Sequence, residues 1–159
     1  MRLAQILLLV QVLLTIAHGQ DRSFLVGETQ DCFAGKIIHP AKVDIFLLDP
    51  VKSPEIVRIL DDMEKQVPKG NDQNVDAFFA SYQRLTSATR KTKPLGHIRS
   101  NETGGFAFHT LKDGMTVLLL GMAEREDEPA YYAYLRLKLQ PGKNSATLDF
   151  DQGNACKSH

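Results

Sequence analysis

Tyr131-Tyr132-Ala133-Tyr134-Leu135-Arg136-Leu137-Lys138-Leu139-Gln140 decides the fold class. In an extended chain, successive side chains point to opposite faces. Tyr131, Ala133, Leu135, Leu137 and Leu139 then share one face, and Tyr132, Tyr134, Arg136, Lys138 and Gln140 share the other. A helical period would scatter both sets around the axis, so this stretch is a strand with one buried face. Pro141-Gly142-Lys143-Asn144 turns it into a last strand, 145–150, where Ala146, Leu148 and Phe150 share a face.

Upstream, Met115 to Ala123 is apolar on both faces, so it is a central or covered strand. Glu124 to Pro129 is an acidic loop between this strand and the next. Phe106-Ala107-Phe108-His109 is a strand returning from the turn Asn101-Glu102-Thr103-Gly104-Gly105, and a further strand precedes that turn at 95–100. Nearer the start, 33–39 reads as a short strand stopped by Pro40. Residues 41–48 form a stronger one, with Ala41, Val43, Ile45 and Leu47 inward. Its other face turns apolar at Phe46 and Leu48, so something must cover it.

The β pattern breaks at 53–90. Ser53-Pro54-Glu55 is a helix start: a cap residue, proline at the first helical position, an acid at the positive end of the dipole. Ile56, Leu60, Met63 and Val67 follow at helical spacing until Pro68 and Gly70. A second helix begins near Asn74, with Val75, Phe78, Phe79, Tyr82, Leu85 and Thr89 as its stripe. The expected fold is mainly β: an antiparallel sandwich of the seven-stranded type with a two-helix insertion after the second strand. Strands 41–48 and 115–123 share a sheet, and the helices pack on its outer surface.

The N-terminus reads as a secretory signal peptide, residues 1–19: Arg2, a short apolar core from Ile6 to Ile16, and Ala17-His18-Gly19 as the cleavage site before Gln20. The core is too short for a comfortable membrane span, which takes roughly 20 residues. Export makes the location secreted or periplasmic, with no transmembrane segment once the leader is removed. Residues 20–31 read as a linker, 32–156 as a single domain, and 157–159 as a tail. The chain carries 19 Lys+Arg and 19 Asp+Glu, so loss of Arg2 leaves a mature charge of about −1. That balance offers no electrostatic footprint for nucleic acid. Cys32 and Cys156, the only two cysteines, bracket the domain. In an oxidising compartment an intramolecular disulfide between them is expected, worth roughly 4–5 kcal/mol for so long a loop. Free thiols, or pairing with another chain, are the alternatives.

The order Gly35-Lys36-Ile37, Ala41-Lys42-Val43-Asp44-Ile45, Asn101-Glu102-Thr103-Gly104-Gly105-Phe106-Ala107-Phe108 and Leu111-Lys112-Asp113-Gly114-Met115-Thr116-Val117-Leu118 resembles the carboxypeptidase regulatory-like domain. That domain belongs to the transthyretin-like sandwiches, which include the Cna-B-type repeats. The resemblance covers 35–48 and 95–150; the stretch 53–90 departs from it, and Met115-Thr116-Val117 replaces the family's aromatic strand start. It implies an accessory module that packs on partners or binds carbohydrate, with no catalytic role. The hydroxyisourate hydrolases of the same group end in Tyr-Arg-Gly-Ser, whereas this chain ends Asn154-Ala155-Cys156-Lys157-Ser158-His159. Lys36 and Asn154 are the only pair placed remotely as a Cna-B-type isopeptide bond requires, and two exposed polar residues is the simpler reading.

Direct signals for chemistry are sparse. His39, His97, His109 and His159 form no metal-binding spacing, no Gly-x-Ser-x-Gly is present, and no cofactor is implied. Tyr132, Tyr134 and Arg136 make a stripe that either binds a sugar or protein partner or lies beneath the inserted helices. The acids Glu124, Glu126, Asp127 and Glu128 lack the spacing of a calcium loop. Asn101-Glu102-Thr103 is an N-glycosylation acceptor if the chain passes through a eukaryotic secretory pathway. The function expected is an exported, non-catalytic binding or accessory module, its partner a protein or a carbohydrate. Its rivals are a carbohydrate-binding module using the tyrosine stripe and a small secreted hydrolase.

Overall fold

A computed structural model describes residues 22–33, 35–66, 75–125 and 128–150. The order is β1 (Arg22–Phe33), β2 (Lys36–Ile38), β3 (Asp44–Leu48), α1 (Pro54–Gln66), α2 (Val75–Lys91), β4 (Gly96–Arg99), β5 (Gly105–Lys112), β6 (Thr116–Arg125), β7 (Glu128–Lys138) and β8 (Lys143–Asp149). Two four-stranded sheets face each other. In the first, β1 pairs with β2, β5 and β8; the second runs β4-β3-β6-β7. Leu25, Ile45, Leu47, Phe106, Val117, Leu119, Leu139 and Leu148 fill the space between them. A second apolar layer lies outside the second sheet, where Leu48, Leu118, Leu120, Met122 and Tyr132 meet Ile56, Leu60 and Met63 of α1 and Tyr82 and Leu85 of α2.

The β-sandwich and its helical layer follow the sequence pattern. β3 and β6 are neighbours, with Leu47 opposite Leu119, and both carry apolar residues on two faces because each serves two cores. The Ser53 carbonyl accepts the Val57 N–H at 3.1 Å, and α1 begins at Pro54 as the cap signal requires. Ser81, Tyr82, Leu85, Ala88 and Thr89 form the buried stripe of α2; Phe79 turns to solvent. Val67, Pro68, Gly70 and Asn74 lie outside the described residues.

Five expectations need correction. Residues 20–31 are no linker as far as they are described: from Arg22 onward they belong to β1, an eighth strand that pairs with three others. Its inward positions Ser23, Gly27 and Thr29 are polar or small, which erased the apolar alternation. The fold satisfies the two hydroxyls through partners from other segments. Thr29 donates to the Pro40 carbonyl at 2.6 Å, and the Ser23 hydroxyl lies between the Asp113 carboxylate and the Gln140 carbonyl. Gly27 is required because the Phe106 ring occupies the space a Cβ would fill.

The strand expected at 33–39 shrinks to β2, three residues that fold back on the end of β1 through Gly35, whose φ is 75°. Ala41, expected inward, is exposed ahead of β3. The acidic loop is largely strand, since β6 and β7 extend to pair Arg125 with Glu128. One pairing is also not antiparallel: β8 runs parallel to β1, with Thr29 opposite Leu148.

Candidate functional site

The outer face of the second sheet decides what can be recognised there. Cross-strand register arranges it in rows: Arg99, Asp44, Met122 and Tyr132, then His97, Phe46, Leu120 and Tyr134. The helices cover the β6–β7 half of these rows. Tyr132 is 2 % exposed, its ring 6.2 Å from Phe78 of α2 and 6.4 Å from Tyr134. The Tyr134 hydroxyl donates to Glu64 of α1 at 2.8 Å, and Arg136 pairs with Asp61 of the same helix. Burial, together with the Glu64 carboxylate accepting its proton, pushes the Tyr134 phenol well above its ordinary range. The stripe of Tyr132, Tyr134 and Arg136 is therefore the seam between sheet and helices, not an open ligand platform. An amphipathic helix pair needs apolar sheet surface to bury against, and these rings provide it.

On the β3–β4 side of the same face Leu48 lies beneath the helices and Phe46 packs against that layer, while His97 and Arg99 are exposed at the margin. There the Asp44 carboxylate accepts a hydrogen bond from His97 Nε2 at 2.9 Å and from Arg99 Nε and Nη2 at 3.2 Å each. The His97 ring stacks flat on Phe46, centroids 4.3 Å apart and planes within 2°. Partial burial raises the Asp44 pKa, but the hydrogen bonds and charge of Arg99 and His97 outweigh it and hold the carboxyl below its usual range. The strip thus presents a fixed carboxylate, a flat pair of rings, and an Arg99 side chain 68 % exposed with donors to spare. No spacing in the sequence joins Asp44 to His97 and Arg99. Only the antiparallel pairing of β3 with β4, across the whole helical insert, does.

The remaining sequence candidates are dispersed. Cys32 lies near the end of β1, and among the described residues no cysteine is free; Cys156 lies outside them. Asn101 is exposed on its turn, where its side-chain oxygen accepts from Thr103 N–H and Oγ at 2.9 Å and from Gly105 N–H at 2.8 Å. His39 bonds the Thr29 carbonyl through Nδ1 at 2.8 Å, and His109 stands exposed on β5. Lys36 is exposed on β2; Asn154, Glu126, Asp127 and His159 lie outside the described residues, as does the leader. Among the described residues no group of three or more His, Cys, Asp or Glu is placed to hold a metal ion. Among them, too, no helix is long and apolar enough to cross a membrane.

No protein-family model matches the chain, and no curated protein does. Among solved structures it is similar in shape to a minor pilin of the Gram-positive pathogen Streptococcus agalactiae, with a TM-score of 0.47 and 11 % identity. That match covers 83 % of this chain and 45 % of the pilin chain, so the present chain spans less than half of it.

Proposed function

We propose that this chain is an exported, non-catalytic accessory module of the carboxypeptidase regulatory-like kind, which docks on a protein partner through the marginal strip of Asp44, Phe46, His97 and Arg99. The observation that carries this reading is the division of one sheet face. Its tyrosine half is sealed by helices, while its β3–β4 half keeps a rigid charged and aromatic surface at the margin. Arginine and aromatic side chains held in a fixed geometry are the commonest anchors of protein interfaces. Asp44 holds the Arg99 fork in place, so little side-chain freedom is lost on binding.

In this proposal the leader is removed near Gly19-Gln20, and a Cys32–Cys156 bridge ties the C-terminal residues to β1. The parallel run of β8 beside β1 supports the bridge: Phe150 N–H bonds the Gln30 carbonyl at 2.7 Å, two residues short of Cys32. Intact mass of the exported chain should begin at Gln20 and be two hydrogens lighter than after reduction. A photo-crosslinking residue at position 97 should yield a discrete adduct from the chain's native extracytoplasmic milieu. The same residue at Arg58 on α1 should not, and Arg99→Glu should abolish the position-97 adduct. Equal adducts at both positions, or none at 97, would remove the docking strip.

A further inference from the structure

We infer that the outer face of the first sheet binds an acidic oligosaccharide, a charged sugar resting on Arg22, Lys112 and Lys143 around the Phe24 ring. Ser23 and Leu25 are buried between the sheets, so Arg22 and Phe24 of β1 face outward. β5 sets two residues, His109 and Thr110, against Phe24, because Ser23 pairs with Leu111 and Leu25 with Phe108. The extra residue reverses the alternation. Leu111 turns in toward the core, and Lys112 turns out, directly opposite Arg22. Lys143 of β8 flanks Phe24 from the other side. Arg22, His109, Lys112 and Lys143 are all exposed, and among the described residues none of them lies in an ion pair.

The fold carries two local costs here. Like charges set directly opposite on a sheet face destabilise it. Thr110, a β-branched residue with a φ of 63°, is strained. An anion held between Arg22 and Lys112 turns the repulsion into attraction, and the Arg22 fork suits a carboxylate or sulfate. Asp113, next in sequence, does not supply that charge: its carboxylate is engaged by the inward-facing Ser23 hydroxyl. The acids on the outer face stand well along the strands. Glu28 lies about 13 Å from Phe24, and Asp149 about 20 Å from Lys143.

Beside the cations the face continues into a shallow groove of about 360 Å³ between β1 and β8, lined by Val26, Glu28, Ser145 and Thr147. Ser145 stands opposite Val26, and Thr147 opposite Glu28. This combination selects a sugar polymer over other anions. A peptide laid on the face would leave its own N–H and C=O groups unpaired, because a sheet directs its backbone groups within its plane. An anionic bilayer is broad and would press on Glu28 and Asp149 as well as on the cations. An acidic oligosaccharide is narrow. Its charge meets Arg22, Lys112 and Lys143, its C–H surface packs on Phe24, and the hydroxyls of the next units bond Ser145, Thr147 and the Glu28 carboxylate.

The experiment is titration calorimetry of the exported full chain with oligogalacturonate and with heparin oligosaccharides, against neutral maltooligosaccharides and phosphatidylglycerol vesicles. At least one acidic oligosaccharide should bind roughly tenfold or more tighter than the neutral one, and added salt should weaken it. Lys112→Glu should reduce that binding roughly tenfold or more. The same change sets an acid opposite Arg22, so the thermal midpoint should hold or rise, which a misfolded variant could not show. Ser145→Ala with Thr147→Ala should weaken binding about fivefold through the lost hydroxyls. Binding of neither acidic probe, equal affinity for the neutral sugar, tighter binding to the vesicles, or indifference to Lys112→Glu overturns the inference. The docking strip of Asp44 and Arg99 lies on the other sheet, so crosslinking at position 97 reads out separately from sugar binding.

Discussion

Tyr132→Ala separates a structural ring from a recognition ring. Tyr132 is 2 % exposed and sits between Phe78 of α2 and Tyr134 of β7. Its truncation removes a whole ring from the layer that joins the sheet to both helices, and the neighbouring side chains cannot collapse fully into the space. Buried aromatic-to-alanine changes cost about 3–5 kcal/mol. With a urea dependence of about 2 kcal/mol per molar for a domain of this size, the unfolding midpoint should fall by about 2 M. Urea titration followed by far-ultraviolet circular dichroism measures this directly. Tyr134→Phe is the control. It removes only the hydroxyl that bonds Glu64 at 2.8 Å on an exposed rim, and should cost about 1 kcal/mol or less. A loss below about 1 kcal/mol for Tyr132→Ala would place the ring at the surface and refute the sealed seam. The tyrosine stripe would then return as a candidate sugar platform.

Gly27→Ala should be among the most damaging single substitutions, at about 3 kcal/mol or more, because the new Cβ meets the Phe106 ring and the immobile Ala146 carbonyl; a thermal midpoint within two degrees of wild type would contradict the close approach. The Asp44 carboxyl should titrate below 3.8 by carbon-detected NMR. Because its folded pKa lies below the unfolded one, its contribution is present above the unfolded value and lost as pH falls through the folded value. Asp44→Asn should therefore flatten the acid limb of the stability profile below about pH 4, and an unchanged limb would count against the pairing with Arg99 and His97. Replacing 51–93 by a short turn should leave a closable hairpin, since Leu47 pairs with Gly96 and Leu95 N–H already bonds the Leu47 carbonyl at 2.8 Å. The product should nonetheless aggregate and bind hydrophobic dyes through the uncovered Leu118, Leu120 and Tyr132; a soluble monomer without dye binding would show the helices dispensable.

Local chemistry was enough to place most of the elements. Ser53-Pro54 started a helix, Pro141-Gly142 turned a strand, and double-sided apolarity in 41–48 and 115–123 marked the two strands that serve two cores. These signals are legible because they depend on neighbours a few residues away. β1 was not legible, because Ser23, Gly27 and Thr29 are inward residues whose suitability rests on Asp113, Phe106 and Pro40, all distant in sequence. Asp44, His97 and Arg99 were invisible as a group for the same reason: a helical insert separates β3 from β4, and cross-strand register alone brings them together. The sequence by itself settled a β-sandwich with a helical lid, since alternation and capping are properties of the chain. Tertiary structure alone decided which face of that sandwich meets solvent, because the same alternating tyrosines suit a binding surface or a buried seam until the helices are docked upon them.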